Sequence, residues 1–270
     1  LPHYPWLTYM DLLGTSKELR RLSSAGQLTG GLRYFMGPRK RLEELYDIAV
    51  DPYELENLVD DPRHQEVLRR LRDEHFAWVR DTRDTGFIPE QMLRDFAQGS
   101  SEYEYARSQS YHLERCIQAV RLMEQGASAL PLIERLLKDP YGPVRYWAAA
   151  GLINLGSQAQ SAIPSLIRVL DDPHPEVAMI AAEALCYLGH AGTALPILER
   201  YLQDDRQLVC IAAANVISRI GEQARPLISL IRMQSKASAL RPDRFLLMVD
   251  WLMAQTLRNL GEPVPHPVIN

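Results

Sequence analysis

Ser128-Ala129-Leu130-Pro131, Ser161-Ala162-Ile163-Pro164 and Thr193-Ala194-Leu195-Pro196 recur 33 and 32 residues apart, and each opens an apolar helix. Ahead of the second and third lie alanine-rich stretches ending in Leu-Gly, 148–156 and 181–189, and a third such stretch, 212–221, ends in Ile-Gly. Self-similarity at this period marks a helical solenoid, because no unit can bury its own apolar face and each must stack on its neighbours. Surfaces of that kind bind partners far more often than they perform chemistry.

The repeat keeps register in several residue types at once. The first helix of each pair is small where helices must approach closely: Ala148-Ala149-Ala150, Ala181-Ala182 and Ala212-Ala213-Ala214. Methyl-sized side chains permit separations near the short end of the usual range. Leu152, Leu155, Leu185, Leu188, Val216 and Ile220 fill the layer between. Helix pairs are expected at 113–125 with 129–138, 143–155 with 162–170, 175–188 with 194–202 and 206–220 with 225–234, closed by a helix over 244–260. Asp139, Asp172 and Asp205, 33 residues apart, stand where a carboxylate can cap the next helix.

Arg135, Arg168 and Arg200 each lie four residues after the repeat proline, so they recur along the second helices. Such a row suits an acidic partner or a sulfated or phosphorylated ligand; a solvated face with Glu134 and Glu199 alongside is the competing reading. Arg232 extends the row by spacing but is two residues out of register with Pro226. Over 112–235 the pattern resembles HEAT repeats, with Asp-Pro-Tyr-Gly-Pro-Val-Arg (139–145) and Asp-Pro-His-Pro-Glu-Val (172–177) like the turn between units. The arginine that follows the valine in that family is present as Arg145, whereas Ala178 and Cys210 take its place later. That departure argues against an inter-repeat Asp–Arg ladder.

Composition narrows the function classes. At 270 residues with 46% apolar and 24% charged side chains, the chain is ordinary for one or two globular domains. A net charge of −4 with no long basic run gives no reason to expect nucleic acid. No apolar run reaches the roughly 20 residues that span a bilayer. Cys116, Cys186 and Cys210 fall on apolar helix faces and read as packing. The chain opens Leu-Pro-His-Tyr-Pro-Trp, without methionine or a signal-like stretch, as a piece of a longer product would.

Ahead of the repeats, 44–50 reads as a short strand, Asp51-Pro52 as a turn in which the aspartate accepts from an amide two residues on, and 53–56 as one helical turn. Thr15 or Ser16 is expected to cap a short helix, and Gly30-Gly31 to break the chain after it. Asp61-Pro62 starts a long helix to about Thr82, with an apolar stripe of Val67, Leu68, Leu71, His75, Trp78 and Val79. A lone histidine on such a stripe reads as a satisfied buried side chain. Gly99-Ser100-Ser101 is the most linker-like point, so the domains are expected at 1–99 and 100–270.

Glu43-Glu44-Leu45-Tyr46-Asp47, then Asp51-Pro52-Tyr53-Glu54-Leu55-Glu56-Asn57-Leu58, then Asp61-Pro62 and the helix through Trp78, resemble the C-terminal subdomain of sulfatases of the alkaline-phosphatase-like superfamily. Arg83-Asp84-Thr85-Gly86-Phe87-Ile88-Pro89-Glu90 resembles bacterial members. The fold expected is therefore mainly α: a HEAT-like α-solenoid preceded by a small α+β subdomain. The resemblance implies a parent that hydrolyses sulfate esters through a formylglycine nucleophile with a calcium ion, both in a catalytic domain upstream, and a periplasmic or secreted setting. No Cys/Ser-x-Pro-x-Arg and no ligand-spaced histidines occur in these residues, so no catalytic, cofactor or metal residue is expected here. His3 stays unassigned. The solenoid is expected to contact a protein or a sulfated polymer. The alternative is a stand-alone HEAT-repeat interaction scaffold, which the reading frame upstream of Leu1 distinguishes. A solenoid that is itself an enzyme needs clustered ionisable residues, which the repeats do not offer.

Overall fold

The computed structural model describes residues 13–37, 40–239 and 244–265. His3, His266 and the proline tail beyond Pro265 lie outside them. Two compact units divide between Asp81 and Thr82, not near Gly99.

In the first unit, α1 (Gly14–Ser24) carries no side-chain cap from Thr15 or Ser16, and Leu13 occupies its N-cap. Gly30 begins α2 (Gly30–Phe35) instead of ending order. No strand forms over 44–50, nor anywhere among the described residues. Leu45 spends its backbone groups locally: its N–H reaches the Asn57 side-chain oxygen at 3.1 Å, and its carbonyl accepts from the Leu58 N–H at 2.7 Å. The Asp47 carbonyl then takes the Val50 and Asp51 amides at 3.1 and 2.8 Å, curling the chain into a turn. A strand needs a ladder partner, and these bonds leave none. Ile48 and Val50 end 69% and 80% exposed.

The expected helical turn at 53–56 is a bend with Glu54 at φ 53°. Asp51 holds it by accepting from the amides of Leu55 and Glu56 at 2.7 and 2.8 Å, four and five residues on, not two. After a short 3-10 turn, α3 (Gln65–Thr82) buries Leu68, Phe76 and Val79. Its inner line passes through Arg72, whose guanidinium is paired with Glu43. Val67, Leu71, His75 and Trp78 are exposed, so the expected stripe is rotated.

The second unit begins with a locked segment. Arg83, at φ 57°, donates to the carbonyls of Ala106, Ser108 and Tyr111 at 2.7, 3.2 and 3.4 Å, while the Tyr111 hydroxyl donates back to the Asp84 carbonyl. Between lie α4 (Glu90–Phe96) and α5 (Glu102–Arg107). Ser101 caps α5 through a capping box with Glu104, which is why the linker-like Gly99-Ser100-Ser101 is ordered.

The repeats follow as α6 (Leu113–Arg121), α7 (Leu130–Leu136), α8 (Gly142–Leu155), α9 (Ile163–Val169), α10 (Pro175–Tyr187), α11 (Ala191–Leu202), α12 (Gln207–Ile220) and α13 (Ile228–Ala239), closed by α14 (Arg244–Asn259). First helices pack on first helices: α6 on α8, α8 on α10, α10 on α12, and α12 on α14. Ala148, Ala149, Ala181, Ala182, Ala213 and Ala214 are fully buried at those contacts, with Leu152, Leu185 and Ile217 beside them. The second helices close the core from one side, burying Ile133, Leu166, Leu198 and Ile231. Helix pairs joined through Gly126, Gly156 and Gly221 turn by a 3-10 stretch that sequence periodicity does not show.

The candidate ligand-binding face of the solenoid

Each inter-unit turn is built by an aspartate. Asp139, Asp172 and Asp204 accept from the amides of Tyr141, His174 and Arg206 at 2.8, 2.9 and 2.9 Å, so the third member is Asp204 rather than Asp205. These bonds brace the turn two residues on, and the N-caps themselves are Tyr141, His174 and Arg206. An Asp–Arg ladder does exist over two rungs. Arg145 donates Nε and Nη2 to Asp172 at 2.6 and 2.8 Å, and Arg115, which has no place in the repeat register, pairs with Asp139. At the third rung, where Ala178 leaves no donor, Arg206 turns back on Asp204.

The second helices present Arg135 on α7, Arg168 on α9 and Arg200 on α11, all exposed. None forms an ion pair among the described residues, in contrast to Arg115, Arg145, Arg206, Arg219, Arg225 and Arg232. Arg168 donates to the Ser165 hydroxyl at 2.8 Å; Arg200 donates to the Tyr201 hydroxyl at 2.9 Å and lies 4.5 Å from that ring's centre. Glu134, the expected neutralising neighbour, is turned onto the Ser161 hydroxyl of the next unit at 2.9 Å. Lys138 adds an exposed cation one turn beyond Arg135. The row stops at α13. Arg168 lies twelve residues past Gly156, and the same count from Gly221, which shares that backbone conformation, reaches the exposed Met233. Arg232 is instead paired with Glu262.

A second polar group escaped sequence reading. Glu183, buried within the alanine-rich α10, receives Arg219 of α12 in a two-pronged bond at 2.7 and 2.6 Å, and the Tyr187 hydroxyl donates to the Arg219 carbonyl at 3.2 Å. A lone acid in a run of alanines was the available signal. Its geometry is that of a staple between neighbouring units.

The remaining reactive residue types are sequestered or scattered. Cys116, Cys186 and Cys210 are buried free thiols; burial pushes Cys116 and Cys186 up to about 12, and the Cys210 thiol donates to the Leu202 carbonyl at 3.1 Å. Among the described residues no three His, Cys, Asp or Glu side chains converge as a metal ion requires, so they do not fit the calcium site that the sulfatase resemblance carries. No described helix is long and apolar enough to cross a membrane.

Comparison with known proteins finds two kinds of similarity. A family model of HEAT repeats matches residues 129–216 and 163–241. An ulvan-active sulfatase of Formosa agariphila is 34% identical over 91 residues, 34% of this chain and 15% of the relative. The human N-sulphoglucosamine sulphohydrolase is 38% identical over 73 residues, 26% of this chain and 14% of that enzyme. The matched segments thus span about one seventh of the curated relatives. The chain carries HEAT repeats together with a sulfatase-related segment.

Proposed function

We propose that these residues are a non-catalytic C-terminal portion of a sulfatase-family enzyme, whose catalytic domain lies upstream, and that the solenoid holds a polyanion through Arg135, Arg168 and Arg200. On this reading the formylglycine and calcium belong to that upstream domain, and the whole protein acts on sulfate esters in the periplasm or outside the cell. The observation that carries the binding role is the row itself: three guanidiniums on successive second helices, exposed and without carboxylate partners. Natural surfaces neutralise most such charges locally, as the other paired arginines of this solenoid do. A planar guanidinium suits the oxygens of sulfate, and a row with repeat spacing favours an extended ligand over a small one. The Formosa relative is an ulvan-active sulfatase, which makes a sulfated polysaccharide such as ulvan the first candidate.

The test is titration of the 270-residue chain with ulvan and with desulfated ulvan at low and moderate salt. Binding of the sulfated polymer is expected to weaken with salt and to fall about tenfold or more in R135Q/R168Q/R200Q, by analogy with other polyanion contacts. Equal affinity in the triple variant, or for the desulfated polymer, contradicts the assignment. The same preparation is expected to turn over no aryl sulfate, and measurable turnover contradicts the non-catalytic role.

A further inference from the structure

The segment ahead of the repeats lies across the amino-terminal ends of three first helices. Phe96 of α4 stacks on Tyr141 at 5.8 Å and meets His174 edge-on at 5.5 Å. At Gly142, the first residue of α8, a Cβ would stand 2.7 Å from the His174 ring and 3.2 Å from the sulfur of Met92, which is why that position is a glycine. Helix α4 also packs on α12.

Beneath this strap, in the first turn of α10, sits Glu176. It is only 6% exposed, and neither carboxyl oxygen has a hydrogen-bond partner. Its own amide and that of Met92 approach without completing a bond. The charges facing it are Asp95 on α4 and Arg206 ahead of α12, with the Tyr146 hydroxyl within range on α8 and His174 two residues before it. Glu183, the other buried acid described above, has the Arg219 guanidinium as its partner. A buried carboxylate without donors is a liability that uptake of a proton removes.

We propose that Glu176 is a proton-operated catch for α4: neutral, it lets the strap lie sealed on α8, α10 and α12, and ionised, it drives the strap off. Burial, the largest influence, pushes the Glu176 carboxyl above its ordinary value; its own backbone N–H opposes this, Asp95 adds to it, and Arg206 and the Met92 N–H oppose it. The docked state therefore holds the proton more tightly than the undocked one. Docking is strongest below the ordinary carboxylate range and weakens as pH rises through the docked value, by at most about tenfold per pH unit for one proton. His174 works in the opposite sense. Burial holds its imidazole below the usual value, with Asp172 and Asp95 raising it and Arg145 lowering it, so its protonation loosens the strap on acidification. The direction of the response thus separates the two groups. The catch is independent of the arginine row.

Hydrogen exchange over residues 90–97, corrected for intrinsic rates, tests it in the 270-residue chain between about pH 4 and about pH 8.5. Opening is expected to increase with pH and then level off, and Glu176→Gln is expected to abolish the rise. No rise in the wild type, a rise only on acidification, or the same rise in Glu176→Gln overturns the proposal. Should Glu176→Gln lose its helical circular dichroism, Asp95→Asn supplies the second reading. Removing that like charge is expected to lower the high-pH plateau, and an unmoved curve again overturns the catch.

Discussion

Two arginines show how differently one residue type behaves in this solenoid. Arg145 is 11% exposed and its partner Asp172 5%, and a further N–H reaches the Asp139 carbonyl at 2.7 Å. Arg145→Ala leaves Asp172 buried without its counter-charge, so a loss of about 3–5 kcal/mol is expected, seen as a lower urea midpoint at unchanged slope. Arg168→Ala, on the exposed row, is expected to move stability by no more than about 0.5 kcal/mol. Equal losses from the two contradict the division between a structural ladder and an exposed, unpaired row. The turn aspartates were legible at this scale, but Asp204 and Asp205 both fit the repeat spacing, and only the bond to the amide two residues on selects Asp204. Arg115 was invisible because its partner lies 24 residues away and no motif joins them. Arg72 misled in the other direction: paired with Glu43, it sits on the inner line of α3, where a count of apolar residues excludes it.

Helices were legible wherever a full apolar stripe faces a neighbouring helix, which is why α6 to α14 fall close to their expected places. Short elements depend on contacts that periodicity does not encode. The apolar run at 44–50 has the composition of a strand but spends its backbone bonds on Asn57 and Leu58, and the 3-10 connections rest on single glycines. Gly156 stands at φ 56°, ψ −131°, a conformation that side chains with a Cβ scarcely adopt. Gly156→Ala is expected to cost on the order of 1–3 kcal/mol. Gly192, in the first turn of α11 with open space around it, is the control: Gly192→Ala is expected to be neutral or to stabilise by up to about 1 kcal/mol. Thermal unfolding of both variants checks the pair, and a harmless Gly156→Ala contradicts the account of the connection.

Across the whole second unit, the consequence of alanine-lined contacts is mutual dependence. Every face of α10 but its carboxyl-terminal rim is covered, mostly by α8, α9, α11 and α12. Its core is therefore shared with its neighbours rather than owned, as repeat stacks require. The arginine row inherits its geometry from this stack, since α7, α9 and α11 pack mainly on the first helices. The sulfatase resemblance and the spacing of Arg135, Arg168 and Arg200 were legible in the sequence, whereas the absence of ion pairs at those three arginines among the described residues rests on side-chain placement that no sequence displays. The most direct test of the shared core is hydrogen exchange on Ala182→Leu, which overfills the fully buried contact of α10 and should cost about 1–3 kcal/mol. Amide protection is predicted to fall in α8 and α12 as well as in α10. A loss confined to 175–187, with α8 and α12 protected as before, would contradict the claim that successive pairs form one core.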